Sequence, residues 1–183
     1  MSAADVETLK QAIQNRYSAD PSDKAKQYVG QFFGGIRLGT KITAQVVGNH
    51  GTYTVSIHVD GTDLTSTCSC YIDKHGWCHH CGALAVTFLQ APEQFKELMQ
   101  RPLEKVSELV HLPEYLRSVT LDDLIDALRK QGITQKAFAE SIGMSSRHLS
   151  AIKASERRNR HFHELGATKL ACVWVLERLG QKK

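Results

Sequence analysis

The chain has 183 residues, 42% of them apolar and 23% charged, which excludes a wholly disordered or collagen-like polypeptide and fits one large or two small globular domains. The formal net charge of +4 is too small to name nucleic acid as a partner by itself. Its distribution says more: from Thr120 onward twelve Lys/Arg stand against seven Asp/Glu, a net of +5, whereas the first 119 residues carry eleven against twelve, a net of −1.

No run reaches the roughly 20 apolar residues of a membrane helix. Met1–Glu7 lacks the basic end and apolar core of a signal peptide. The expectation is a cytoplasmic protein, with no membrane partner, whose thiols stay reduced. Four of the five cysteines fall between Cys68 and Cys81, and Cys172 stands alone. Clustered cysteines in a reducing compartment point to metal before disulfide.

In chain order, residues 5–15 read as a short helix with Val6, Leu9 and Ile13 on one side. A second helical segment follows Pro21 and Ser22 to about Val29. Gly30, Gly34, Gly35 and Gly39 then break the pattern. Ile42, Ala44 and Val46, and after them Tyr53, Val55, Ile57 and Val59, alternate with polar residues, the period-two mark of half-buried strands. Asn49-His50-Gly51 turns between the two. Leu64–Thr67 makes a third short strand running into Cys68. Cys81, Leu84, Ala85 and Phe88 are spaced i, i+3, i+4, i+7 and predict one stripe of a helix ending near Leu89. Pro92 opens a predicted helix over 92–100, and 101–119 is a connector with helix around Leu103–Leu109.

From Thr120 the pattern is all-helical. Thr120 caps a helix with Leu121, Leu124, Ile125 and Leu128 on one face. Thr134 caps the next, with Phe138, Ala139 and Ile142 inward, and Gly143 ends it. Ser145 caps a third, with Leu149 and Ile152 inward. A last helix carries Leu165, Cys172, Val173, Leu176 and Leu179. The predicted fold class is α+β: a three-stranded antiparallel meander with helices over 1–100 (its core about 40–90), a connector over 101–119, and an all-α bundle over 120–183.

The cysteine cluster reads Cys68-Ser69-Cys70, seven residues, then Cys78-His79-His80-Cys81. A structural zinc site takes four thiolate or imidazole ligands in a tetrahedron. Either His80 or Cys81 completes such a set. Cys81 lies on the apolar stripe of its helix and His80 does not, which favours Cys68, Cys70, Cys78 and His80, with His75 and His79 outside the ligand set. Four protein ligands leave no open position, so the expected role is one structural zinc without catalysis. The pattern Cys68-x-Cys70-x7-Cys78-x-His80, with the Tyr53–Val55 strand before it and an aliphatic helix after it, resembles the SWIM zinc finger over about Lys26–Phe95. Cys81 departs from that family, which usually has an aliphatic residue there. The resemblance implies a module that binds DNA or a protein.

The stretch Ile133–Ile152 resembles the helix-turn-helix of Cro/repressor-type regulators: a Thr134-Gln135 helix start, Ala139 at the tight crossing, Gly143 in the turn, Ser145 as cap, and Leu149 and Ile152 as anchors. The likeness extends over about 120–180 and implies binding of double-stranded DNA. A recognition helix offers its N-terminal and outward residues to the major groove, here Ser145, Ser146, Arg147, Ser150 and Ala151. Arg147 is the best base reader, because guanidinium grips guanine bidentately. Gln135 resembles the family's phosphate-contacting position, and Lys153, Arg157, Arg158 and Arg160 form a basic cluster suited to backbone phosphates. Eight basic residues against Glu140 and Glu156 between Arg129 and Arg160, a net of +6, place the excess charge in this module. The family's usual Gly soon after the recognition helix, and a Pro in the following loop, are missing here. Trp174 is a packing residue or a homodimer contact.

The function this predicts is a DNA-binding transcriptional regulator in the cytoplasm or on the nucleoid, the finger adding a second DNA or protein contact. The alternative is an adaptor that uses both modules on proteins. No paired carboxylates, no nucleophile with a placed base and no Gly-rich phosphate loop speak for an enzyme.

Overall fold

The protein is described as a computed structural model over residues 3–17, 20–72, 77–98, 108–160 and 164–180. It divides into two compact units, Met1–Met99 and Gln100–Lys183, of mixed α+β and helical make-up respectively.

The first unit starts with helices α1 (Ala3–Arg16) and α2 (Asp23–Lys26). Four strands follow: β1 (Phe33–Leu38), β2 (Lys41–Gly48), β3 (Gly51–Asp60) and β4 (Asp63–Cys68). Helix α3 (His79–Gln90), a 3-10 turn at Pro92–Gln94 and the short β5 (Lys96–Glu97) complete it. The sheet order is β4-β3-β2-β1-β5, antiparallel except for β1 with β5. Alternation puts Ile42, Ala44, Val46, Val55, Ile57 and Val59 on one face. There they bury against Leu9 and Ile13 of α1 and Leu84, Ala85 and Phe88 of α3.

The predicted meander is thus β2-β3-β4, but the sheet is wider by two strands. The glycine-rich stretch that breaks the hydrophobic pattern is itself strand β1, with an irregular register between Phe33 and Ile36 where Gly34 takes φ +60°. Gly35 has a packing reason: a Cβ there would stand 3.0 Å from the Gln94 carbonyl and 3.2 Å from the Phe95 ring. Over the described part of the helix expected at 92–100, residues 92–98, the chain instead forms the 3-10 turn and β5. Phe95 drops into the core edge-on to Phe88 (centroids 5.2 Å apart), and the extended chain then pairs with β1, Leu98 N donating to Arg37 O at 2.7 Å. Arg37 itself is buried, 3% exposed. Its guanidinium ties Glu97 of β5 (2.8 Å), Asp5 of α1 (3.9 Å) and the Gly39 carbonyl (3.1 Å) together.

The second unit holds a 3-10 turn at Leu109–His111 and helices α4 (Leu112–Ser118), α5 (Leu121–Lys130), α6 (Gln135–Ser141), α7 (Ser146–Arg157) and α8 (Leu165–Gly180). The predicted helix around Leu103–Leu109 falls almost wholly outside the described residues. Side-chain caps start three helices: Thr120 accepts from Asp123 N in a capping box, Thr134 accepts from Ala137 N, and Ser145 accepts from His148 N. Gly143, at φ +71°, supplies the left-handed turn between α6 and α7. Leu121, Ile125, Leu128, Phe138, Ala139, Leu149, Ile152 and Cys172 form the core. Burial pushes the Cys172 thiol up to about 12, which keeps it protonated and inert.

One polar network is enclosed by these helices. Lys169 of α8 donates to the carbonyls of Leu116 (2.8 Å) and Val119 (2.7 Å), at the end of α4, and pairs with Glu156 of α7 at 2.6 Å. The other Glu156 oxygen accepts from Leu121 N, at the start of α5, at 2.8 Å. A buried pair with its remaining hydrogen-bond capacity filled in this way is tolerated; either half alone is costly.

Candidate functional site

Cys68 ends β4, and the ladder continues one residue further. Ser69 N donates to Thr54 O at 3.0 Å, and Thr54 N donates to Ser69 Oγ at 2.9 Å. Extended backbone puts residues i and i+2 on one face, so Cys68 and Cys70 point the same way; both are buried. Cys78 is the N-cap of α3 and His80 sits in its first turn. Helix geometry turns His80 back towards the strand end. Cys68 Sγ, Cys70 Sγ, Cys78 Sγ and a His80 nitrogen all lie within 4.8 Å of one another.

His80 Nδ1 faces the sulfurs, 3.7 Å from Cys68 Sγ and 3.8 Å from Cys78 Sγ. Zinc–sulfur bonds of about 2.3 Å and zinc–nitrogen bonds of about 2.0 Å at tetrahedral angles set ligand-to-ligand edges of about 3.5–3.8 Å. The donor set and its spacing therefore fit a zinc-sized divalent ion. His80 Nε2 is buried without a hydrogen-bond partner. Its ring is held by packing instead: Tyr28 lies edge-on (centroids 4.7 Å), Tyr53 tilted (4.9 Å), and His79 at 4.1 Å. Gly48 makes room for that enclosure, since a Cβ there would meet the Tyr53 ring at 2.3 Å.

The electrostatics ask for a cation. Hydrogen bonding to Cys78, together with burial, pushes the Cys68 thiol far up. Burial and the Cys78 charge push Cys70 up. Hydrogen bonds from Cys68, Cys81 and His80 hold Cys78 far down. Three sulfurs in one buried place thus share protons that a divalent ion would displace. Cys81 is fully buried and 3.6 Å from Cys78 Sγ, but it is not among the four mutually close donors. His79 is half-buried and His75 lies outside the described residues.

The second cluster of candidate residues spans α6 and α7. Arg147, Ser150 and Ala151 are exposed, as is Ser145, and Ser146 is half-buried. Leu149 and Ile152 anchor the opposite side of α7 in the core. Gln135 Nε2 donates to Ser150 Oγ at 2.9 Å, and Lys153 Nζ donates to Gln135 Oε1 at 3.3 Å. Lys153 and Arg157 both pair with Asp122, Lys153 at 2.8 Å and Arg157 through two hydrogen bonds of 2.6 and 3.0 Å. Burial raises Asp122, but the hydrogen bonds from Arg157 and Lys153 outweigh it and hold its carboxyl below the ordinary range. Arg158 and Arg160 are exposed. Asp122 had no signal in the sequence as the partner of two cations, because the contact joins residues 31 and 35 positions apart. Likewise no periodicity marks Tyr28 or Tyr53 as the walls around His80.

Compared with protein-family models, with curated proteins and with solved structures, the chain matches none. No helix among the described residues is long and apolar enough to cross a membrane.

Proposed function

We propose that the chain is a zinc-containing, DNA-binding regulator. Cys68, Cys70, Cys78 and His80 hold one structural zinc in a SWIM-type finger, and α6 and α7 form a helix-turn-helix that reads duplex DNA. The role is binding, not catalysis: four protein donors close the coordination shell and leave no position for substrate or water. When bound, the ion cross-links the end of β4 to the start of α3.

The single observation that carries the DNA reading is the asymmetry of α7. One side is anchored by Leu149 and Ile152, and the other offers Arg147, Ser150 and Ala151 outward from a Ser145-capped N-terminus. Arg147 reads a base edge. Arg158 and Arg160 hold phosphates, while Lys153 and Arg157, already engaged by Asp122, steer the helix more than they grip. Gel shifts at rising salt test this. Affinity falls steeply with salt, Arg147→Ala relaxes sequence preference at a cost of about 1–3 kcal/mol, and Arg158→Ala weakens all sequences alike. No binding to any duplex at low salt overturns the reading.

A second reading, an adaptor, draws on one feature: Tyr71, Ile72 and Trp77, beside the metal ligands, are 90%, 65% and 60% exposed. Exposed apolar groups of that size suit a protein partner. A stable complex that survives nuclease and is lost with Trp77→Ala supports it. Trp174 and Leu170 on α8 are exposed as well and suit a homodimer contact, which light scattering on the Trp174→Ala variant tests.

A further inference from the structure

Cys81 is the sulfur left over when four metal donors are assigned. It is fully buried, yet it is no ordinary core thiol, because its Sγ lies 3.6 Å from the Sγ of Cys78. The two residues straddle the start of a twelve-residue helix, Cys78 as N-cap and Cys81 in the first turn, with Cys81 N donating to Cys78 O at 3.0 Å. A disulfide needs a sulfur separation of about 2.05 Å. The pair therefore has to close by about 1.6 Å, within the reach of side-chain rotation. Access is also provided. An open cavity of about 390 Å³, walled by Tyr17, Trp77, His79 and Gly82, has Cys78 in its lining. Cys81 stands behind it, shielded.

We propose that Cys78 and Cys81 are a redox-active dithiol, oxidised by a hydroperoxide, whose disulfide withdraws Cys78 from the metal centre. The proposal rests on the zinc reading of Cys68, Cys70, Cys78 and His80. The thiolate of Cys78 attacks one peroxide oxygen; the O–O bond breaks, hydroxide leaves and Cys78 becomes a sulfenic acid. The Cys81 sulfur then attacks the Cys78 sulfur. The S–S bond forms, the S–O bond breaks, and the Cys81 proton leaves with that oxygen as water. Two electrons pass from the sulfurs to the peroxide, which ends as water and hydroxide. Cys68, Cys70 and His80 remain, one donor short of a closed set. Metal and disulfide compete for one sulfur, so each weakens the other by the same factor.

The test uses the full chain, reduced and loaded with zinc, then treated with hydrogen peroxide. Zinc release is followed with a chromogenic chelator. Free thiols are alkylated and the protein is cut with trypsin. Cleavage after Lys41, Lys74 and Lys96 puts Cys78 and Cys81 on one peptide and Cys68 and Cys70 on the preceding one. The expected result is release approaching one zinc per chain, with a disulfide inside the second peptide. Dithiothreitol with added zinc reverses both, and the oxidised chain binds zinc more than about tenfold more weakly. Cys81→Ala should load zinc as the parent does and form no disulfide in that peptide; with no second thiol to trap it, the Cys78 sulfenic acid is oxidised by a second equivalent of peroxide to the sulfinic acid, so that in excess peroxide zinc is lost without recovery by dithiothreitol. A cross-link between the two peptides, or reversible release from Cys81→Ala at the parent's rate, overturns the proposal. So does a parent that holds zinc but forms no disulfide, even if Cys81→Ala fails to fold. A chain that binds no zinc yet forms the disulfide overturns the zinc reading and the coupling built on it, while leaving the dithiol standing.

Discussion

His80 turns Nδ1 towards the sulfurs of Cys68 and Cys78 without the hydrogen bond that ordinarily orients a ligating imidazole from its other side. A carboxylate or carbonyl usually accepts from that second N–H. Here Nε2 has no such partner, and the Tyr28 and Tyr53 rings take over the work of orientation. Shape, not hydrogen bonding, is then what matters at residue 53. Tyr53→Ala should weaken zinc binding by about 10–100-fold in a competition titration, and Tyr53→Phe should leave it near the parent value. Equal losses in both variants would show that the hydroxyl is the active part. Asp122 gives a second prediction at this scale. Asp122→Asn removes the charge that Lys153 and Arg157 now neutralise. On the DNA-binding reading, duplex binding should tighten at low salt, and its salt dependence should steepen by about one to two ions. The folded chain holds Asp122 below its ordinary value of 3.8. Its stabilising contribution is therefore present above about pH 4 and lost as the pH falls through the depressed value. Asp122→Asn should flatten that part of an acid-unfolding curve.

Among the elements, α7 bears the most distinct demands. Ser145→Ala removes the cap of its first turn at a cost of about 1 kcal/mol, and Ile152→Ala opens the core beneath it at about 2–5 kcal/mol. Lys169→Met leaves the half-buried Glu156 without its cation and the last carbonyls of α4 without a donor, a loss of up to about 3–5 kcal/mol; denaturant titration reads all three. These elements also show what was legible beforehand. The caps at Thr120, Thr134 and Ser145, the buried faces of α5 to α7 and the strands β2 to β4 follow from rules acting within a few residues: a side chain reaching N3, a period of 3.6, a period of two. Strands β1 and β5 do not. They pair residues some sixty positions apart, and β1 is built from glycines that carry no hydrophobic alternation. The run after Pro92 carries a helix-start signal that loses to the burial of Phe95 and to pairing with β1. In the candidate metal centre the four donors were readable from spacing and from the stripe that sets Cys81 apart, whereas the aromatic walls and the 3.6 Å approach of Cys81 to Cys78 are tertiary facts.

For the whole molecule, two compact units with separate cores predict two thermal transitions. If the zinc reading holds, a strong chelator lowers only one of them. Metal binding of this kind contributes directly to folding free energy, so the Met1–Met99 unit should melt far earlier without it, and acid should do the same by protonating the donors. Calorimetry with and without chelator checks this; a single transition, or a shift in both, counts against it. The place of β4 gives that loss a particular character. β4 is an edge strand of the sheet, as β5 is at the other side, and its residues Asp63–Cys68 end in the first of the four candidate metal donors. An edge strand is a template for another chain. On the zinc reading, an ion fastening the end of β4 to α3 would keep that edge anchored. Stripped of metal, the protein should therefore fail by association before it fails by unfolding: turbidity should rise with concentration at temperatures where the helical unit is still folded, and a lysine introduced at Thr65 should suppress it.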